Sequence, residues 1–154
     1  MTLEVTVSEE RDKEFTEFLQ ARIREYNNQQ SSHHRAARQS GAVKPLYVML
    51  KDETGQVVGG LSAHTYWDWL EIDDLFVPDN LRGQGLGSSL LLTAETIAIS
   101  RGMRHSFLST FEFQARSFYE KYGYSVVGKL EGYPPGMAYY WMRKDLLQAQ
   151  VDET

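Results

Sequence analysis

The spacing of apolar residues along the chain predicts a definite order of strands and helices. Apolar side chains alternate with polar ones over Leu3–Val7, which predicts a short strand. Ser8 follows as an N-cap, and apolar residues spaced three and four apart predict a core-facing helix behind it, at Phe15, Phe18, Leu19, Ile23 and Tyr26. The next segment, Asn27 to Lys44, is polar and lacks this period. There we expect a flexible loop or a short exposed helix, and a cover for a substrate cleft.

Strand patterns dominate the rest of the chain. Segments 46–51 and 56–66 predict a hairpin through a turn at Asp52–Gly55, with a bulge or kink at Gly59-Gly60. A third strand runs from Trp69 to Val77. After it come a helix that ends at Gly102, a strand over 104–110, a short helix over 113–122, and strands over 124–130 and 137–143. The order predicts an α+β fold with a mostly antiparallel sheet around a strand–helix–strand unit.

Three glycines at alternate positions, Gly83, Gly85 and Gly87, connect the third strand to that helix, whose apolar face comprises Leu90, Leu91, Ala94, Ile97 and Ala98. Glycine lets backbone N–H groups converge on a ligand, and the helix start adds the positive end of its dipole. Arg82 adds a permanent positive charge. The turn is therefore typical of an anion site, although glycine here also suits a connection that serves packing alone. It lacks the Gly-Lys-Ser/Thr of a nucleoside triphosphate loop, and Ser88 replaces the third glycine of a dinucleotide fingerprint.

Composition excludes several classes of protein. The chain has 154 residues, 42% apolar and 24% charged, which is typical of one globular domain, here taken as residues 1–154. No apolar run approaches the ~20 residues that cross a bilayer, and the N-terminus does not resemble a secretory leader, so we expect a cytoplasmic protein without membrane attachment. A net charge of −5 and scattered Lys and Arg argue against nucleic-acid binding and are compatible with a small cationic partner.

The chain contains no cysteine, which restricts its chemistry further. Disulfides, thiolate metal sites and an acyl-cysteine intermediate are all excluded. His33 and His34 are adjacent and project in different directions, so we expect no metal site there or elsewhere.

Two motifs together resemble the GNAT superfamily of acetyl-CoA-dependent N-acetyltransferases. Arg82-x-x-Gly85-x-Gly87 resembles the family's pyrophosphate motif, and FQARSFYEKYGYSVVG resembles its later motif of helix, Phe-Tyr and Lys-x-Gly-aromatic. They occur in the family's order, and the resemblance spans essentially the whole chain, most strongly from Leu70 to Leu146. It implies a GNAT-like α+β fold: a mixed, mostly antiparallel sheet of about six to seven strands, flanked by helices, with a strand–pyrophosphate loop–helix core. It also implies direct acetyl transfer from acetyl-CoA to an amine of a small molecule.

The resemblance assigns residues to the donor. Backbone at Leu75, Phe76 and Val77 would pair with pantetheine, and the diphosphate would be held by Arg82, Gly83, Gln84, Gly85, Leu86, Gly87 and Ser88. Tyr119 matches the family's general-acid tyrosine and is also a candidate coenzyme contact. Many relatives carry an asparagine where this chain has Glu112, so the pantetheine or acyl contact of that asparagine is in question here.

Glu71 and Asp73 are the candidate bases for the proton that leaves the amine. Strand alternation predicts that both share one face with Trp69, Leu75 and Val77, and that Asp74 lies on the other face. Glu71 lies eleven residues before Arg82, where several family members place a base glutamate. It could act directly or through water, or the two carboxylates could simply attract a cationic substrate.

Aromatic residues are the candidates for acceptor binding. Tyr66, Trp67, Trp69 and Tyr133 would form a wall beside the carboxylates that attracts an ammonium group. These side chains equally suit a core or a homodimer surface. Two further functions stay open: an acyl-CoA sensor without turnover, and a transferase that uses another acyl-CoA.

Overall fold

A computed structural model describes residues 1–39 and 41–146. The chain divides into two compact units, Met1–Gln39 and Ser40–Thr154. The expectation of one domain over residues 1–154 stays a prediction. Among the described residues, no helix has both the length and the apolar character needed to cross a bilayer.

The first unit contains two helices, α1 (Lys13–Gln30) and α2 (Ser32–Ala37). The N-cap of α1 is Asp12, whose carboxylate accepts the N–H of Phe15, and not the predicted Ser8. The predicted strand over Leu3–Val7 is not formed, because alternation alone supplies no pairing partner. No residue of α1 is buried, so its apolar stripe is not the predicted core face in this structure.

The segment from Asn27 to Lys44 is mostly helical. Its first residues complete α1, and Ser31 caps α2 by accepting the N–H of His34 at 3.2 Å. The short exposed helix, one of the two predicted alternatives, is therefore the one that forms, and Lys44 already belongs to the first strand. Ser40 lies outside the described residues.

The second unit is one mixed sheet with two helices. In chain order it contains β1 (Lys44–Lys51), β2 (Val57–Tyr66), β3 (Trp69–Phe76), a 3₁₀ turn (Asp79–Leu81), α3 (Leu86–Ser100), β4 (His105–Phe111), α4 (Arg116–Lys121), β5 (Ser125–Glu131) and β6 (Ala138–Asp145). The strand order is β1-β2-β3-β4-β6-β5, and only β3 and β4 are parallel. This six-stranded sheet confirms the predicted mixed, mostly antiparallel sheet of about six to seven strands. The turn at Asp52–Gly55 is also confirmed, because Gly55 donates to the Asp52 carbonyl with φ 83°.

One face of the sheet carries the core. Its buried strand residues include Leu61, Ala63, Leu70, Ile72, Leu108, Tyr140 and Met142. They form one cluster with the apolar face of α3, of which Leu90, Leu91, Ala94 and Ala98 are buried as predicted. Ile97 is only partly buried, and Glu95 joins the buried face unpredicted.

A β-bulge in β3 overturns part of the predicted alternation. Ser62 pairs with Asp74 and Ala63 pairs with Ile72, so Asp73 is an extra residue on β3. Paired residues share a face, and the pairs His64–Glu71 and Ser62–Asp74 therefore place Asp74 on the face of Glu71, not opposite it. The same shift moves Leu75, which pairs with buried Leu61, and buried Val77 away from that face.

Candidate active site

The glycine-rich turn ends in a left-handed residue that begins helix α3. Gly85 is the N-cap, with φ 77° and ψ 12°, a conformation that glycine adopts without strain. The Ser88 hydroxyl donates to the Gly85 carbonyl at 2.9 Å. The first N–H groups of an α-helix, here from Leu86 onward, have no intrahelical acceptors. They and the helix dipole favour an anion at this position.

Strands β3 and β4 diverge along their length. They pair only from Trp69–His105 to Glu71–Phe107, whereas β3 continues to Phe76. The end of β3, the glycine-rich turn and the α4 region line a cavity of about 760 Å³, which we call the coenzyme cavity. Backbone groups of β3 beyond Glu71 are therefore left without β4 partners and can pair with an extended ligand.

The coenzyme cavity is positively charged in a protein of net charge −5. Its described lining includes Arg82 and Lys121 and contains no Asp or Glu. Nε of Arg82 donates to the Val77 carbonyl at 3.0 Å, and Nη1 lies 2.7 Å from Oδ1 of Asp79. The two cations and the helix start together suit a ligand with several negative charges.

Most of the residues predicted to hold the coenzyme line this cavity: Leu75, Phe76, Val77, Arg82, Gly83, Gly85, Leu86, Gly87 and Ser88. Gln84, Glu112 and Tyr119 are not part of its described lining. Sequence analysis missed the contribution of the α4 region, which supplies Phe113, Gln114, Ala115, Ser117, Phe118, Lys121 and Tyr122. The second motif covers this region, and its place after the glycine motif, separated from it by a helix and a strand as in the family, was the available signal.

Tyr119 lies in the core directly behind the cavity wall. Only 6% of the residue is exposed, and its ring packs at right angles to the neighbouring Phe118, which does line the cavity. Burial, and then the negative charge of Asp74, raise the pKa of the Tyr119 phenol to about 12. The phenol therefore keeps its proton at neutral pH and can act as a hydrogen-bond donor.

A buried polar network lies beside Tyr119, and sequence analysis did not find it. The Tyr124 ring packs against the Tyr119 ring, and its hydroxyl donates to Oε2 of Glu95 at 2.9 Å. Lys144 Nζ lies 2.7 Å from the other oxygen of Glu95. Burial, and then the charge of Glu95, raise the pKa of Tyr124. These contacts tie α3 to β6 behind Tyr119 and compensate the buried charge of Glu95.

The two candidate bases lie on either side of one histidine. Nε2 of His64 lies 2.7 Å from Oε2 of Glu71, and Nδ1 lies 2.9 Å from Oδ2 of Asp73. The Tyr66 hydroxyl donates to Oε2 of Glu71 at 2.9 Å. Burial, and then the hydrogen bond to Glu71 and the charges of Glu71 and Asp73, raise the pKa of Tyr66 to about 12. Sequence analysis missed His64, because its partners are on another strand.

Among the described residues, the side chains of His64, Glu71 and Asp73 are also close enough together to hold a metal ion. Their ligand atoms all lie within 4.8 Å of one another. The carboxylates of Glu71 and Asp73 contact opposite nitrogens of the His64 ring, however. An ion bound by all three would have to displace one of these contacts, and the arrangement is that of a hydrogen-bonded cluster centred on His64.

The four predicted acceptor residues lie in three local environments. Tyr66 stacks on His64, and the Trp67 ring lies edge-on to Tyr66 at 5.1 Å. Trp69 packs against His105 and Phe107, and the guanidinium of Arg143 covers its ring at 5.0 Å. Tyr133 stacks on Phe111 and lies edge-on to Tyr139. Of the four, Tyr66 therefore contacts a candidate base directly, and Trp69 already has a cationic partner.

The fold and this site can be compared with known proteins. A sequence model of the Acetyltransferase (GNAT) family matches residues 6–124, which include the glycine-rich turn and Tyr119. The chain belongs to the GNAT acetyltransferase family. It is therefore an acyltransferase, and enzymes of this family use acetyl-CoA as co-substrate.

Individual relatives, compared by sequence and by structure, agree with this assignment. The chain is 36% identical over 131 residues to a blasticidin-S acetyltransferase from Streptomyces morookaense, covering 81% of this chain and 96% of that protein. It is 35% identical over 101 residues to acetyltransferase Atu2258 of Agrobacterium fabrum, covering 66% of this chain and 74% of that one. The crystal structure of an acetyltransferase from Bacillus cereus superposes with a TM-score of 0.80 at 30% identity, covering 92% of this chain and 98% of the other.

Proposed function

We propose that this GNAT acetyltransferase transfers the acetyl group of acetyl-CoA directly to an amine of a small molecule. The observation that carries the proposal is the coenzyme cavity, where Arg82, Lys121 and the start of α3 face a gap between two parallel strands. A diphosphate suits the charges, and an extended pantetheine suits the unpaired backbone of β3. Loop residues predicted from sequence would hold the diphosphate, and Leu75 to Val77 would pair with pantetheine.

Glu71 is the proposed base, with Asp73 beside it. Glu71 first accepts one proton from the ammonium group of the acceptor, directly or through water, which frees the lone pair of the nitrogen. The amine nitrogen then attacks the thioester carbonyl carbon, an N–C bond forms, and the nitrogen releases its second proton to water. The C–S bond then breaks, and sulfur leaves with the electron pair as a thiolate. The amide and a thiolate result, and the thiolate ends as the thiol after gaining one proton.

Tyr119 is proposed to stabilise that thiolate. An ordinary thiol has a pKa of about 8.5, whereas the pKa of Tyr119 is raised to about 12. Complete transfer of the phenol proton to the sulfur would therefore cost roughly 5 kcal/mol. A hydrogen bond from the phenol to the sulfur has no such cost, so Tyr119 acts as a donor to the developing charge and the proton arrives from water.

The acceptor is proposed to be a small cationic amine. The carboxylates of Glu71 and Asp73 and the ring of Tyr66 supply charge and aromatic surface next to the base. One relative is named for acetylating blasticidin S, which makes that compound the first acceptor to test. We also propose a cytoplasmic protein, and a homodimer remains an expectation.

The experiment measures thiol release from acetyl-CoA with a panel of amines that includes blasticidin S, and calorimetry measures CoA binding. Release that depends on one class of amine supports the proposal. Tight CoA binding without release across the panel would favour an acyl-CoA sensor. Release with succinyl-CoA in preference to acetyl-CoA would favour another donor.

A further inference from the structure

The carboxylate of Glu71 is held by one of its two oxygens. Oε2 lies 2.7 Å from Nε2 of His64 and accepts the hydroxyl hydrogen of Tyr66 at 2.9 Å. Among the described residues, no side chain or backbone group is hydrogen-bonded to Oε1. The carboxylate therefore has one occupied oxygen and one that is available to a ligand.

His64 is itself held from the other side. Its Nδ1 lies 2.9 Å from Oδ2 of Asp73, the residue that the bulge adds to β3. A carboxylate only accepts hydrogen bonds, and a ring nitrogen donates only if it carries hydrogen. Both contacts are hydrogen bonds at once only when both nitrogens carry hydrogen, which gives a continuous chain from Asp73 through His64 and Glu71 to Tyr66.

We propose that His64 is a positioning residue for Glu71: with Tyr66 it fixes Oε2, so that Oε1 is the oxygen that meets the acceptor amine. Asp73 then acts through His64, and is not a second base. The inference rests on the proposed function of Glu71, and it adds two statements to that function. One oxygen of Glu71 is selected, and a histidine on the neighbouring strand selects it.

Two isosteric substitutions separate the two contacts of the ring. In His64→Gln the amide nitrogen can reach the position of Nε2 and donate to Glu71. In His64→Asn the shorter amide can replace only Nδ1 and donate to Asp73. We expect kcat to fall about 10- to 100-fold in His64→Asn and His64→Ala, the value of a hydrogen bond to a charged group, and less than tenfold in His64→Gln. Equal losses in His64→Gln and His64→Asn would overturn the proposal.

The separate effects of the substitutions on kcat and on KM distinguish a positioning role of His64 from a role in substrate binding. The Kd for CoA is expected to stay within about threefold of the parent, because His64 is not part of the described lining of the coenzyme cavity. KM for the amine is also expected to stay within about threefold, because in this proposal His64 orients the carboxylate of Glu71 and does not bind the amine itself. A rise in KM with an unchanged kcat would show that His64 binds the acceptor, and would overturn the proposal.

A double-mutant cycle tests whether His64 acts through Glu71. In a Glu71→Gln background, His64→Ala is expected to cause no further loss of kcat, since the carboxylate it orients is gone. Losses that multiply would show that the two residues act independently, and would overturn the proposal. If Glu71→Gln alone leaves kcat unchanged, the assignment of Glu71 as the base is wrong. This result differs from each of the results that would overturn the role of His64, so the two failures can be told apart.

A spectroscopic measurement tests the contact without turnover. In protein with ¹⁵N-labelled histidine, the ring shifts of His64 are expected to show hydrogen on Nε2, the nitrogen that faces Glu71, and to change in Asp73→Asn. His64→Ala assigns the signal, and His105, which pairs with Asp145, gives a second half-buried histidine for comparison. A His64 ring without hydrogen on Nε2 would overturn the proposal, as would a ring shift on adding Zn²⁺ that shows His64 to be a metal ligand.

Discussion

The ring of Phe118 packs against the backbone of Gly87: a Cβ on residue 87 would lie 3.4 Å from the ring. The two motifs of the sequence, the glycine-rich turn and the Phe-Tyr helix, therefore meet at one wall of the coenzyme cavity. A distance of 3.4 Å is an ordinary van der Waals contact, so packing alone does not require glycine at position 87. Its absence of a side chain leaves the first turn of α3 accessible to a ligand.

Gly87→Ala is predicted to separate stability from binding. Alanine is the better helix former by up to about 1 kcal/mol, so the free energy of unfolding should stay the same or rise. The Kd for CoA should rise, because the new methyl group lies where the ligand approaches the backbone. Urea unfolding and calorimetry measure the two effects. Ser89→Ala, in the same helical turn, is the control, and unchanged CoA affinity in Gly87→Ala would show that CoA binding does not depend on the missing side chain at position 87.

Removing either cation of the cavity is predicted to weaken CoA binding. Arg82→Gln and Lys121→Gln should each raise the Kd by about tenfold, and the parent protein should bind less tightly as salt increases. Arg22→Gln is the matched control, since Arg22 also forms an ion pair with a carboxylate three residues away. Calorimetry with unchanged Kd values in both cavity variants would contradict the assignment of the diphosphate to this wall.

Glu71→Gln is predicted to lower turnover by about 10²- to 10⁴-fold, the usual contribution of a general base. The loss should be largest below the pKa of the acceptor amine, where nitrogen must lose a proton before it can attack. Above that pKa the amine is already neutral and the two proteins should converge. The measurement is kcat against pH, with Glu131→Gln on β5 as the same substitution outside the site. A profile of unchanged shape would remove Glu71 from the base role.

Tyr119→Phe is predicted to lower kcat by about 10- to 100-fold with little change in the Kd for CoA. This magnitude follows from the loss of one hydrogen bond to a charged atom. The proposed role places the phenol beside the departing sulfur and not beside the acceptor, so KM for the amine should also be retained. Steady-state kinetics and calorimetry measure these values. A loss confined to CoA affinity would indicate a binding role for Tyr119 instead.

Tyr119 should also affect stability in alkaline solution. Its pKa in the folded protein is about 12, above the ordinary value of 10.0, so the folded chain holds this proton more tightly than the unfolded chain. Between pH 10 and about 12 the unfolded state has lost the proton, and the free energy of unfolding falls as the pH rises, by up to about 3 kcal/mol from this residue. The fall should be shallower in Tyr119→Phe but not in Tyr47→Phe, where the tyrosine is exposed.

In Tyr119→Phe the free energy of unfolding is still expected to fall with pH to some extent, because burial also raises the pKa of Tyr124. Urea unfolding at several pH values between 9 and 12 measures all three proteins. Identical slopes in the parent and Tyr119→Phe would show that the phenol is not shielded from water as described.

Local patterns in the sequence determined much of the fold and the anion-binding turn. The α3 face of Leu90, Leu91, Ala94 and Ala98 repeats within a single helix, and periodicity reports such a face directly. The preference for glycine at position 85 is also local, because a left-handed N-cap favours glycine whatever side chains surround it. For the same reason the order of the strands and helices from Lys44 to Asp145 was predictable.

Tertiary structure alone decided which side chains share the acid–base part of the site. The extra residue Asp73 depends on the register between β2 and β3, and this shift brings Asp74 onto the face of Glu71. His64 contacts both carboxylates only because β2 lies beside β3, and Leu3–Val7 forms no strand because alternation cannot supply a neighbour. Register and pairing are set between segments distant in sequence, so periodicity within one segment does not determine them.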